Sequence, residues 1–294
     1  MLIRDLLHLA CVRLENAGVD TPEIDAGLLL SHCLGKSRTA LYLIPDVEPD
    51  AECEAQFLNF LQRREQREPL AYILGCQEFW SLDFLVSPDV LIPRPETELL
   101  LEKVIATCRD CSSSSGAFLD LCCGSGVIAI VLAKELGRKV LAVDISMGAL
   151  MIARENASRH GVAHLIDFVQ SDLLTAFSIA PCFSLVVSNP PYVSKQDIKR
   201  GLQPEVDRYE PHLALDGGDE GLDIIRRIRD EVLPRMLPGA DLFMEIGAEQ
   251  YPDILSLYKK ITTYEGMFAE VGVDKDYSGH DRIFHIKLNH QNSN

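Results

Sequence analysis

Asn189-Pro190-Pro191-Tyr192 stands directly after a short apolar run, Phe183 to Ser188. Proline fixes its own backbone angle, and Pro190 also pushes Asn189 out of the helical region. The Asn189 side chain is thereby held on a stiff frame, where it offers one acceptor oxygen and two donor hydrogens. The Pro190 carbonyl adds a second fixed acceptor, Pro191 stiffens the next position, and Tyr192 contributes a flat ring. Two acceptors beside a ring make a receptor for a planar –NH₂ group. Such a nitrogen, when conjugated, is a weak nucleophile because its lone pair is delocalised. Acceptors aimed at its hydrogens stabilise the positive charge that develops as it attacks, and they hold it in line. Asn189, Pro190 and Tyr192 are the catalytic candidates, and Asn189 to Tyr192 together bind the substrate group. No metal is required. The plain alternative is a stiff turn that carries a surface Asn.

A second constellation lies upstream, in the segment "LDLCCGSGVIAIVLA". Gly124 and Gly126 let the backbone approach a ligand and leave helix N-terminal N–H groups facing it. Cys122, Cys123 and Ser125 complete that loop. The next strand ends at Asp144, placed to accept from ribose hydroxyls. The spacing Gly124-x-Gly126-x-x-Ala129 with an acid about 20 residues on also satisfies the dinucleotide fingerprint, so a nicotinamide dehydrogenase stays open at this point. Asp172, with Leu173 beside it, follows the third strand. Its carboxylate is either an acceptor for an adenine amino group or a helix N-cap whose neighbours enter the core. Asp120, Asp144 and Asp172 lie at the ends of successive strands. Such a set suits adenosine and a methionine-like amine better than a pyrophosphate, which points to S-adenosylmethionine and to methyl transfer.

Both constellations need a scaffold that brings strand ends together. From Ala117 the sequence alternates "AFLDLC", a helix from Val127 to Leu136, "KVLAVD", a helix from about Met147 to His160, "IDFVQ" and "SLVVS". Apolar strands separated by helices predict a parallel sheet covered on both faces, with ligands beyond the carboxyl ends of the strands. "EGMFAEVGV" and "DRIFHIKL" predict an antiparallel pair closing one edge. Residues 1–75 read as helices. Thr21 is expected to cap a helix beginning at Pro22, Gly35 to end it, and Phe57, Leu58 and Leu61 to share one apolar face. These helices suit a docking module. Residues 76–95 are predicted to be a hairpin linker turning at Ser87-Pro88-Asp89, leading through the Arg94 loop into a catalytic domain over 96–294. That loop is read as a stiff hinge, as a rim of the active site, or as both. "CSSSSG" (Cys111 to Gly116) is read as a flexible spacer.

Composition narrows the partners. The 294-residue chain carries a formal net charge of -16, which disfavours affinity built on phosphate neutralisation and favours a basic protein partner. The N-terminus is an interrupted amphipathic helix, no apolar run is long enough to span a membrane, and nine scattered cysteines do not form a disulfide framework. The expected location is the cytoplasm. Cys108-x-x-Cys111 stands alone, without the second pair that zinc-site spacing needs.

With both motifs in hand, the chain resembles the release-factor glutamine methyltransferase family. The resemblance runs through "REPLAYILG" (Arg67 to Gly75), "VLIPRPETE" (Val90 to Glu98), "DLCCGSG" (Asp120 to Gly126), "AVD" ending at Asp144, "NPPY", "DGGDEGLDIIRRI" (Asp216 to Ile228) and "FMEIGAEQ" (Phe243 to Gln250). "NPPY" alone is shared with adenine-N6 and some RNA methyltransferases; joined to "IPRPETE" it is far more specific. The resemblance implies an α/β fold: a seven-stranded Rossmann-like methyltransferase domain, mostly parallel with an antiparallel edge hairpin, plus a small N-terminal helical domain. It implies methylation of the glutamine side-chain amide in the Gly-Gly-Gln motif of peptide chain release factors. The N-terminal helices would help grip the factor, and no stable nucleic-acid or membrane partner is expected. Cofactor contacts would come from Cys122 to Gly126, Asp144, Asp172, Leu173 and Asn189. Cys122 and Cys123 depart from the family's Gly and small hydroxyl residue, and Leu173 from an aromatic of some members. An adenine-N6 methyltransferase is the runner-up, and a non-enzymatic adaptor ranks third. The dehydrogenase falls away because nothing after the glycine loop supplies a hydride-transfer site.

Overall fold

A computed structural model describes residues 1–110, 116–180, 182–265 and 268–289. Five helices come first: α1 (Ile3–Asn16), α2 (Pro22–Leu34), α3 (Arg38–Leu43), α4 (Ala51–Glu65) and α5 (Leu70–Leu74). A two-stranded hairpin follows, β1 (Cys76–Phe79) and β2 (Leu82–Leu85), and then α6 (Pro95–Asp110). The chain then alternates through β3 (Ala117–Leu121), α7 (Val127–Leu136), β4 (Val140–Asp144), α8 (Met147–Arg159), β5 (Ile166–Gln170) and β6 (Phe183–Ser188). Three helices, α9 (Lys195–Arg200), α10 (Pro204–Tyr209) and α11 (Asp223–Val232), precede β7 (Met236–Glu245). The chain ends with α12 (Tyr251–Glu265), β8 (Phe268–Lys275) and β9 (Asp281–Leu288).

Two compact units result. One comprises Met1–Cys76 with Gln203–Tyr209, the other Gln77–Leu202 with Glu210–Asn294. In the first unit, Leu6, Leu14, Leu30, Phe57 and Leu61 form a buried core. Asp50 caps α4 by accepting from the Cys53 N–H at 2.8 Å. Gly35 ends α2 in the left-handed conformation, φ 60°. Thr21 does stand before α2, but it makes no cap: its hydroxyl donates to Asp25 at 2.9 Å. Asp25 is drawn instead into a buried ion-pair cluster, in which Arg64 donates to Asp25 at 2.7 Å and to Glu205 at 2.9 Å. Arg67 also donates to Glu205, at 2.6 Å. Burial works against the Glu205 charge, yet the hydrogen bonds from Arg67 and Arg64 hold its carboxyl down to about 2. The short α10 thus folds with the helical unit although it lies far along the chain.

The second unit holds a seven-stranded sheet in the order β5-β4-β3-β6-β7-β9-β8. The strands from β5 to β7 pair in parallel; β9 runs antiparallel to both β7 and β8. The sheet has a core on each face because its strands point alternate side chains both ways. Phe118, Leu185 and Val187 pack with α6 and α7, whereas Leu119, Leu121 and Val186 pack with α11 and α12. Helix α7 is buried from Val127 through Ala133, which explains its unbroken apolar sequence.

The hairpin differs from the sequence expectation. It turns at Trp80 and Ser81, φ 56° and 55°, a pair of left-handed residues whose twist matches the strands they join. No Asn-Gly or Asp-Gly pair marks that turn. Its geometry is held by tertiary contacts: Glu98 accepts from the Trp80 N–H at 2.5 Å and Glu135 from its indole N–H at 3.1 Å. Ser87-Pro88-Asp89 forms a separate turn closed by the Val90 N–H on the Ser87 carbonyl at 3.1 Å. Of the expected spacer Cys111 to Gly116, all but Gly116 lie outside the described residues, as does the second cysteine of Cys108-x-x-Cys111.

Candidate active site

Register places the site. Leu121 pairs with Val143 on one side and Ser188 on the other, so the next residues of three neighbouring strands, Cys122, Asp144 and Asn189, emerge side by side. Asp144 pairs in turn with Gln170, which brings Ser171 and Asp172 to the same edge. Between β3 and β6 the strand order reverses direction, the point at which an open α/β sheet leaves a crevice. A cavity of about 270 Å³ lies there, lined among others by Arg94, Thr97, Cys122 to Ser125, Asp144, Asp172, Leu173, Asn189 and Pro191.

The glycine loop is braced from below. Asp120, wholly buried, accepts from the Ala129 N–H at 2.9 Å and so caps α7. Its other oxygen has no hydrogen-bond partner among the described residues. Burial therefore pushes its carboxyl up to about 8, partly offset by Ala129 and reinforced by the charge of Asp144. Asp144 accepts from the Gly124 N–H at 2.8 Å and from the Ser146 N–H at 2.9 Å. Burial raises its pKa, and these backbone bonds oppose the rise. Each carboxylate oxygen keeps a second lone pair for a hydroxyl.

The two glycines have different duties. Gly124, φ 52°, would meet no protein atom within 4 Å if given a Cβ, so it is the open floor of the cavity. A Cβ on Gly126 would stand 2.9 Å from that of Ala153, so this glycine serves the close approach of α8 and not that of a ligand. Cys122, φ 63°, holds a left-handed conformation that glycine adopts without strain, and Leu173, φ 48°, does the same. Burial pushes both thiols, Cys122 and Cys123, up from their ordinary value, so they are inert neutral walls. Asp172 caps no helix; the segment after it is a turn, and Arg227 donates to it at 2.8 Å. Leu173 and Leu174 are buried.

The "NPPY" loop is framed by segments distant in sequence. Thr97 donates its hydroxyl to Glu245 at 2.7 Å, and Asn189 Nδ2 donates to that same Thr97 oxygen at 3.1 Å. Gln250 Nε2 donates to the Tyr192 carbonyl at 2.9 Å. The Val193 N–H bonds the Leu215 carbonyl, and the Gly217 N–H the Val193 carbonyl, both at 2.9 Å. A Cβ on Gly217 would stand 2.8 Å from the Pro191 carbonyl oxygen, and one on Gly221 2.3 Å from that of Tyr192. Gly217 and Gly221 of "DGGDEG" leave room for the loop to lie against this backing.

Tyr192, expected to set a flat ring beside the two acceptors, is half-buried and does not line the cavity. Its hydroxyl donates to Glu245 at 3.0 Å, its ring packs against the core that contains Leu242 and Met244, and burial raises its pKa. Pro190 is buried. Arg94, on the loop expected at the rim, lines the cavity and donates to buried Glu210 at 2.5 Å. Local sequence carries no signal for Asn156. This wholly buried side chain accepts from the Leu85 N–H at 2.7 Å and donates to the carbonyls of Leu85 and Ser125, both at 3.0 Å. It ties the hairpin to the glycine loop.

The donor set fits adenosine bearing a methionine-like chain: acceptors at Asp144 and Asp172, apolar walls at Leu173 and Ile145, and an open backbone at Gly124. Comparison with known proteins agrees. Residues 5–75 match the family described as PrmC N-terminal domain, and residues 95–211 the methyltransferase small domain. The release factor glutamine methyltransferase of Nitratidesulfovibrio vulgaris is 39% identical over 289 residues, covering 98% of this chain and 95% of that one. The one from Koribacter versatilis is 42% identical over 248 residues, covering 84% and 87%. Among solved structures, the hMettl16 catalytic domain in complex with an RNA hairpin superposes with a TM-score of 0.55 at 16% identity, covering 83% of this chain and 84% of that one. A methyltransferase from Pyrococcus furiosus gives 0.50 at 16%, covering 82% and 100%. At that identity these two show the fold alone.

Proposed function

The chain belongs to the release factor glutamine methyltransferase family, and we propose that it methylates the side-chain amide nitrogen of the glutamine in the Gly-Gly-Gln motif of peptide chain release factors. The observation that carries this reading is one shared cavity: Asn189 lines the same space as Gly124 and Asp144. A receptor for a planar –NH₂ and a receptor for an adenosine cofactor thus stand together.

S-adenosylmethionine is the cofactor, and when bound it supplies a methyl group on a sulfonium centre. Cys122, Cys123, Gly124, Ser125, Asp144, Asp172 and Leu173 would hold it; Gly126, expected among these contacts, serves the packing of α8 instead. Asp172 does so while paired with Arg227, which leaves it a weaker acceptor than Asp144. Asn189 Oδ1 and the Pro190 carbonyl accept the two hydrogens of the glutamine amide. They restrain the nitrogen and stabilise the positive charge it acquires. The nitrogen gains a methyl group and sheds one proton, which leaves to solvent; Glu245, closed in behind Thr97 and Tyr192, is not positioned to take it. Tyr192 acts from behind the loop, as a strut on Glu245. The helical residues 1–75 dock the release factor, residues 76–95 connect, and 96–294 carry the reaction. The net charge of -16 supports a basic protein partner and no stable nucleic-acid one. Among the described residues no helix is long and apolar enough to cross a membrane; we place the reaction in the cytoplasm, where release factors act.

The test uses methyl-labelled S-adenosylmethionine with a release factor, its Gln-substituted variant, and duplex and single-stranded oligonucleotides. Label on the release factor alone is expected. Label on oligonucleotides but not on the factor would favour an adenine-N6 enzyme, and equal labelling of the Gln-substituted factor would remove the assigned target. Asn189→Ala is expected to lower the rate about 10²–10³-fold.

A further inference from the structure

We propose that Thr97 and Glu245 are positioning residues that decide which end of the Asn189 amide faces the substrate. This rests on the methyl-transfer reading above. The two ends of a primary amide have nearly the same shape and opposite hydrogen-bonding character. A substrate –NH₂ is served only by the oxygen; turned the other way, Asn189 would set its own N–H groups against those of the substrate.

The structure resolves the choice by proton counting. Glu245 is 1% exposed and lies at the carboxyl end of β7, where Met244 pairs with Ser188 of β6. Its Oε1 accepts from the Tyr192 hydroxyl at 3.0 Å and its Oε2 from the Thr97 hydroxyl at 2.7 Å. A hydroxyl owns one proton, so Thr97, having given it to Glu245, can only accept in its contact with Asn189. With Glu245 a carboxylate, that 3.1 Å contact is therefore satisfied by Nδ2–H. The Oδ1 end has no hydrogen-bond partner among the described residues and is left for the cavity that Asn189 lines. Burial raises the Glu245 carboxyl above its ordinary value, and the hydrogen bonds from Thr97 and Tyr192, with the nearby Arg282, oppose that rise and favour the charged form. The pin spans three stretches of chain, β6–"NPPY", the start of α6 and the end of β7. It gives the Thr of "IPRPETE" and the Glu of "FMEIG" a shared duty.

Thr97→Val keeps the shape and removes the proton relay; Thr97→Ser keeps the relay. The experiment reads kcat and KM for the release factor, affinity for S-adenosylhomocysteine by calorimetry, and solvent exchange of the Asn189 side-chain amide in selectively ¹⁵N-labelled protein. Thr97→Val is expected to lower kcat about tenfold to a hundredfold, with KM and S-adenosylhomocysteine affinity within about threefold of wild type. The Asn189 amide should exchange faster. Thr97→Ser should return kcat to within about threefold of wild type. Unchanged kcat or unchanged Asn189 exchange in Thr97→Val would overturn the proposal, as would an equal loss in Thr97→Ser. Should Thr97→Val unfold, the same readings are made on Thr97→Ala. The exchange measurement needs no turnover. A wild-type protein that labels no release factor, yet loses its Asn189 protection in Thr97→Val, would sink the assigned reaction and support the pin.

Discussion

Removing the Asn156 side chain tests whether the hairpin and the glycine loop are held as one piece. The side chain is wholly buried and makes three bonds to main chain, at 2.7 Å, 3.0 Å and 3.0 Å. Asn156→Leu keeps the branched shape, offers no partner to any of these groups, and leaves the Leu85 N–H and the Leu85 and Ser125 carbonyls to find others. An orphaned buried polar group costs about 1–3 kcal/mol. Leu85 is only half-buried, so water recovers part of the loss there, whereas Ser125 is 3% exposed and has no such recourse. We expect a net loss of about 3 kcal/mol, which for a unit of this size lowers the melting temperature by roughly 6–12 °C. A second effect follows from where the bonds go. Ser125 belongs to the loop that floors the cavity, and Leu85 leads into Asp89 and Val90, which line it. S-adenosylhomocysteine affinity should therefore fall at least about tenfold at a temperature where the variant is still folded. Calorimetric melting and isothermal titration read the two effects separately. A variant within about 0.5 kcal/mol of wild type would refute the accounting, because it would show that none of the three backbone groups depends on Asn156.

Other perturbations have equally definite signs. Asp120 titrates near 8 in the fold and near 4 when unfolded, so the folded state holds a proton that the unfolded state releases across that window. Its contribution makes stability fall as pH rises from about 4 to 8, by at most about 1.4 kcal/mol per unit, and level off above. Denaturation at pH 5.5 and 8 should show that slope flattened in Asp120→Asn, which keeps the acceptor for Ala129; an identical slope would refute it. Cys122→Gly relieves a left-handed conformation costing about 1–2 kcal/mol, offset by about 0.5–1 kcal/mol of added chain entropy. Stability measured in urea should be unchanged to slightly raised, and a clear loss would show that the thiol's packing matters more than its backbone. Gly221→Ala sets a methyl group 2.3 Å from the Tyr192 carbonyl oxygen at φ 72°, so it should shift the "NPPY" loop and lower kcat without abolishing S-adenosylhomocysteine binding. Single-turnover kinetics beside calorimetry would reveal the contrary.

The sequence by itself determined the scaffold and its working edge. Alternating apolar strands and helices from Ala117 onward are enough to specify a doubly covered parallel sheet, because each strand must bury both faces. Once that is granted, Gly124, Asp144, Asp172 and Asn189 all fall at carboxyl ends of strands, and register alone makes Cys122, Asp144 and Asn189 neighbours. Motifs confined to a few residues are legible because their geometry is local.

Tertiary structure decided how those residues are held and which way they face. Asn189 meets Thr97 from 92 residues away, and Thr97 meets Glu245 across 148. Asn156 reaches Leu85 over 71 residues, with nothing in its own helix to mark it. Trp80, in the left-handed turn with Ser81, is held by Glu98 and Glu135, and Tyr192 points at Glu245. Each outcome is a choice among hydrogen-bond partners of nearly equal intrinsic worth. Burial makes the unpaired alternatives costly, and burial exists only once the distant segments have met.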